Sequence, residues 1–162
     1  MKKTAKKWVV GASIASVVLS AVTAVSVFAG LHQSKKTTET ANLTMYRVGT
    51  IDYDGENATG KILDSNHSIV LKDMKSIDGL KVDIDEKTAT VTYGIAYYNA
   101  DKEFISYTPN LDADFDSSTI PEGAEYFRIV ITPLAVDGEP VDVNVFNMSK
   151  YESQVNVTYD KA

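Results

Sequence analysis

The chain contains no cysteine. That excludes a disulfide framework, a Cys-ligated zinc site and a thiol nucleophile. Histidine is nearly missing, with only His32 and His67 in 162 residues. Two imidazoles leave little material for a histidine metal centre or a Ser-His mechanism. Tryptophan occurs once, at Trp8, so the body has no indole with which to stack on a sugar ring. Basic residues are scarce after the opening. Setting aside Lys2, Lys3, Lys6 and Lys7 leaves 12 basic residues against 22 acidic ones, a balance of −10. A body of that sign is a poor binder of nucleic acid or anionic lipid, which need Lys/Arg patches. No P-loop and no GxGxxG occurs. Ser65, Ser106 and Ser117 lack a nucleophile motif, and no spacing marks two carboxylates as an acid and a base. The chain is expected not to be an enzyme.

What is present begins with a short basic stretch, residues 1–7, followed by an uncharged apolar run, residues 8–31. This is the pattern of an export signal. At more than about 20 residues the run is also long enough to cross a bilayer as a helix. Val27-Phe28-Ala29 suits cleavage after Ala29. The segment at 1–30 is therefore read as a signal peptide or a membrane anchor. In both readings the lysines stay in the cytoplasm and the rest is exported, to the cell surface or beyond it. Residues 31–41 (LHQSKKTTETA) are polar and aperiodic and read as a linker.

Residues 42–162 change character. Short runs rich in Val, Ile, Tyr and Thr alternate with Asp, Asn, Gly and Pro. Strands are predicted at 43–51, 61–63, 68–74, 80–84, 89–98, 103–108, 113–115, 125–132, 141–147 and 153–159, with no helix in the body. Strands at such spacing point to an all-β antiparallel sandwich. Side chains alternate between sheet faces with period two. The core face should then hold Val91, Tyr93, Ile95 and Tyr97, Phe127, Ile129 and Ile131, Val141, Val143 and Val145, and Val155, Val157 and Tyr159. Asn99-Ala100-Asp101-Lys102 should close a hairpin, and Pro121-Glu122-Gly123 should make a type I turn.

GIAYYNADKEFIS, then an acidic loop, then IPEGAEYFRIVI, resembles a recurring hairpin-and-strand pattern of jelly-roll domains in bacterial and phage surface proteins. The stretch from GTID through KILDSNHSIVLKDMKSIDGL resembles the entry region of the same modules. The resemblance spans about Thr44 to Tyr159. It implies a jelly-roll β-sandwich, and those of the modules with a known ligand mostly bind carbohydrate or attach to a cell surface.

Two constellations are candidate sites. By parity Tyr98, Tyr126, Arg128, Asn144 and Phe146 leave their strands on the side opposite the core. Aromatic rings stack on sugar C–H faces, while Arg and Asn meet hydroxyls. Beside Tyr98, the small Gly94 and Ala96 would leave a trough. The competing reading is that another strand or loop covers this side. The second constellation is Asp112, Asp114 and Asp116, whose spacing suits a structural Ca²⁺; it competes with an ordinary solvated loop. Asp52-Tyr53-Asp54-Gly55-Glu56-Asn57 invites the same two readings. Beyond that calcium no cofactor is expected. The expected role is non-catalytic recognition of a glycan or other cell-surface polymer, with membrane attachment through an uncleaved first segment. The alternative is a structural or protein-interaction domain with no small ligand.

Overall fold

The computed structural model describes residues 36–161, and the apolar run at 8–31 lies outside them. The described chain is all-β and every strand pairing in it is antiparallel. β1 (Thr37–Thr40), β11 (Val155–Lys161) and β7 (Lys81–Ile84) form one sheet in the order β1-β11-β7. The larger sheet runs β2 (Tyr46–Val48), β5 (Ile69–Leu71), β10 (Tyr126–Pro133), β8 (Val91–Tyr98), β9 (Phe104–Leu111), with β6 (Lys75–Ser76) also on β10. β3 (Thr50–Ile51) and β4 (Ile62–Leu63) make a separate hairpin.

The main core lies between the two larger sheets. Tyr93, Ile95 and Tyr97 of β8 and Phe127, Ile129 and Ile131 of β10 meet Val82 and Ile84 of β7 and Val155, Val157 and Tyr159 of β11. Phe127 and Tyr159 contact edge-on, with ring centroids 5.8 Å apart. Those of β8, β10 and β11 are the residues that alternation assigns to the interior. The Asn99 turn also forms as expected. Lys102 takes φ 64°, and the Asn99 Oδ1 accepts from the N–H groups of Asp101 and Glu103. The Pro121 turn differs in type. Ala124 N–H donates to Pro121 O, so Pro121 is the first residue and Gly123, at φ 80°, the third, as a type II turn requires.

Five expectations need correction. The single strand predicted at 43–51 is a 3-10 turn at Leu43–Met45, capped by Asn42, followed by β2 and β3, which Gly49 at φ 152° separates into different sheets. Thr37–Thr40, read as part of a linker, is β1, because a polar strand at a sheet edge needs no buried face to pair. Residues 113–115 form no strand and hold β7 through one backbone bond, Phe115 N–H to Val82 O. Residues 141–147 are not a strand either. Only Val143 of their three valines is buried, because the asparagines there take up backbone groups that a ladder would use. The body does contain a helix, α1 (Met148–Glu152), which buries Met148 and Tyr151.

The far side of the larger sheet carries a second core of Ile51, Val70, Ala96, Tyr98 and Val130. Ile62, Met74, Phe104, Tyr107 and Tyr126 pack on it. The trough above Gly94 and Ala96 is filled from the neighbouring strand. A Cβ at Gly94 would collide with the Tyr107 hydroxyl. β8 is thus buried on both faces, and its sequence VTYGIAYY reads as a near-continuous apolar run for that reason.

Ile129→Ala should cost about 2–5 kcal/mol of unfolding free energy. Gly94→Ala should cost about 1–3 kcal/mol by overpacking, and chemical denaturation measures both. Insensitivity at Gly94 would mean that the far face is open.

Glu152 on α1 is half-buried, and desolvation raises its carboxyl above the usual value. A raised folded-state value gives stability that is complete below the unfolded value and lost as pH rises through the folded one. Glu152→Gln should therefore raise the thermal midpoint at neutral pH and leave it unchanged at pH 3. A pH series of melts checks this.

Candidate functional site

The five residues expected on one face fall into two groups. Register sets Tyr126 opposite Tyr98 and Arg128 opposite Ala96, so three of the five share the far side of the larger sheet. The Arg128 guanidinium lies 5.7 Å from the Tyr98 ring centroid, and Lys102 Nζ lies 5.6 Å from that of Tyr126. Tyr98, however, is buried. Its hydroxyl donates to Gly60 O at 2.6 Å, and burial pushes its pKa up to about 12. A ring enclosed in this way has no free face for a sugar. Asn144 and Phe146 belong instead to the connection between β10 and α1. The covering element is the β3–β4 hairpin with its loop, where Tyr53 lies against Tyr107 at a centroid distance of 4.4 Å.

The acidic stretches hold the backbone. Asp114 Oδ1 accepts from Ile84 N–H at 3.0 Å, and Asp116 Oδ1 from Ser118 N–H at 2.9 Å. The latter bonds hold the Asp116 carboxyl below the ordinary range. Asp112 has no such partner among the described residues, and no group of three or more His, Cys, Asp or Glu there could hold a metal ion. The calcium expectation thus finds two of its three carboxylates committed to the protein's own N–H groups. Asp52 binds Thr59 through both Oγ1 (2.6 Å) and N–H (3.1 Å), which lowers its pKa and closes the loop over the second core.

Two hollows among the described residues are shallow. One, of about 580 Å³, lies beside Leu80, Val82, Phe115 and Ile120; the other, of about 380 Å³, lies beside Thr88, Thr90 and Gln154. In the second, Gln154 Oε1 already accepts from Thr90 N–H at 2.7 Å. Neither brings together a set of free polar groups.

The feature that stands apart is the β10–α1 connection. Phe146 is 92% exposed, Val145 71%, Val136 62% and Leu134 48%. Single exposed apolar residues need no explanation, but four lie on this one segment. The turn carrying Val145 and Phe146 is braced. Asn147 Oδ1 accepts from Asn144 N–H at 2.8 Å, Asn144 Oδ1 accepts from Phe146 N–H at 2.9 Å, and Asn147 Nδ2 donates to Asp142 O at 2.9 Å. Further bonds tie the base to the loop before β5: Asn66 Nδ2 to Asp142 Oδ1 at 2.8 Å and Val143 N–H to Asn66 O at 2.6 Å. Buried Val143 and Met148 anchor the two sides of the turn. The result is a hydrogen-bonded turn, a knuckle that presents a phenyl ring and an isopropyl group to solvent. Strand parity marks Asn144 and Phe146 but puts Val145 in the core, whereas Val145 is exposed. The legible signal was the pair of asparagines three apart around two apolar residues.

The chain matches no family model, no curated protein and no solved structure.

Phe146→Ala should leave unfolding free energy within about 0.5 kcal/mol of wild type, as for an exposed position. Asn144→Ala should loosen the turn, seen as faster hydrogen exchange at residues 144–148. Substantial destabilisation by Phe146→Ala would show that the ring is packed.

Proposed function

We propose that this chain is a non-catalytic interaction module displayed at the cell surface, docking the Val145–Phe146 knuckle into an apolar pocket of a partner protein. The observation that carries this reading is an asparagine-bonded turn holding Phe146 at 92% exposure. Binding hot spots are rigid aromatic anchors whose ordering cost is met before binding. Val136 and Leu134, exposed apolar residues of the same connection, favour a protein pocket over a glycan, whose hydroxyls require polar partners. Export rests on the lysine cluster and the apolar run that follows it.

The finer fold in this reading is an eight-stranded jelly roll. Strand order supports it. One sheet contains β5-β10-β8-β9, and the other β1-β11-β7. The Phe115–Val82 bond sets residues 112–116 beside β7 as a degenerate fourth strand. The chain would then pass between the sheets in jelly-roll sequence, with two Greek keys.

The full-length chain with a photo-crosslinking benzoylphenylalanine in place of Phe146, expressed at the cell surface, should give a discrete protein adduct. Val145→Asp should eliminate it. Once the partner is in hand, Phe146→Ala should weaken binding by about 30-fold, the effect of a hot-spot truncation of roughly 2 kcal/mol. Retention of a glycan on an array, lost with Phe146→Ala, would overturn the protein reading.

A further inference from the structure

We propose that the outer edge of β9 is a strand-addition site for an extended partner segment with a neutral centre bracketed by basic residues. β9 ends the larger sheet, with β8 on its inner side. Among the described residues, 104–111 make no backbone hydrogen bond other than in that pairing. An edge of this kind is a row of unpaired N–H and C=O groups that templates another strand, and natural edges are ordinarily blunted with charge. The eight residues FISYTPNL carry none, in a chain where 23% of residues are charged. Blunting is confined to the far end, where Pro109 lacks an N–H and Asn110 sits at φ 56°. Residues 104–108, with a single bulge at Ile105, keep their capacity to pair.

The side chains explain why the main chain is what this edge offers. Phe104 and Tyr107 pack on the second core, and Ile105 and Leu111 on the first. Recognition would therefore come from ladder hydrogen bonds, as in strand addition. Charge names the occupant. Asp101 and Glu103 stand exposed just before one end of the edge, and Asp112 just after the other. Lys102 lies between the first two acids, with its Nζ over the Tyr126 ring. A second copy pairing antiparallel would set Asp101 and Glu103 towards Asp112 of its mate, a like-charge arrangement that disfavours pairing. A segment with Lys or Arg at each end of about five neutral residues meets carboxylates at both ends.

The test uses the full-length chain in mild detergent and the peptide Lys-Lys-Val-Thr-Val-Thr-Val-Lys-Lys, followed by hydrogen exchange and by anisotropy of the labelled peptide. Saturating peptide should slow exchange at residues 104–108 at least tenfold, and a Glu-flanked analogue should not. The double variant Asp101→Asn, Asp112→Asn changes two exposed acids whose carboxylates make no hydrogen bond, so the fold should be kept. It should weaken the peptide at least threefold. Phe146→Ala should leave all of this unchanged, so that failure here and failure of the knuckle reading are separable. Absent protection, equal protection by the Glu-flanked peptide, or protection that rises with concentration of the chain alone would overturn the proposal, the last in favour of a second copy.

Discussion

The pairing of β8 with β10 is the constraint from which most of the structure follows. It runs unbroken from Tyr126 opposite Tyr98 to Pro133 opposite Val91. Because side chains alternate, this one register decides both cores together. Ile95 and Ile129 go toward the smaller sheet, while Ala96, Tyr98 and Val130 go toward the β3–β4 hairpin. A slip of one residue would exchange the two sets. The exchange would fail sterically, since the far side accepts Tyr107 only where β8 has Gly94 and leaves no room for a side chain there. The small residues of β8 are a register device as much as a space.

The long strands were legible because their periods are clean and both partners are long. β8, β9, β10 and β11 fall within a few residues of the predicted spans, and the interior faces of β8, β10 and β11 match their alternation. The far face was not legible. Parity shows that Tyr98 leaves β8 on the side opposite Tyr97, but it cannot show whether that side meets water. The cover comes from residues 50–63, a segment with turn chemistry and little apolar content. Its hold depends on Asp52 with Thr59 inside the loop and on Gly60 O with Tyr98, a contact between positions 38 apart in sequence.

Residues 141–147 misled for another reason. V-D-V-N-V-F has the period of a half-buried strand, and the period is real in the sense that Val143 is buried. The strand still does not form, because Asn144 and Asn147 offer the local N–H groups closer partners than a neighbouring strand would. Short polar side chains compete with the ladder in this way wherever they can reach their own backbone. The same competition that breaks the strand stiffens the turn. Two residues marked from sequence as a ligand face, Asn144 and Phe146, thus remain side by side in a different element with a different capability.

An exposed phenylalanine and an uncharged strand edge are both liabilities for self-association, and the composition bears on how the chain carries them. A balance of −10 beyond the first seven residues gives each copy a field that repels the next. That repulsion acts before contact and is screened by salt within about 10 Å at 0.1 M ionic strength. It penalises encounters between copies and leaves encounters with a basic or neutral surface unpenalised. The same acidic composition that makes the body a poor match for nucleic acid therefore also works against self-association at the exposed ring and the uncharged edge.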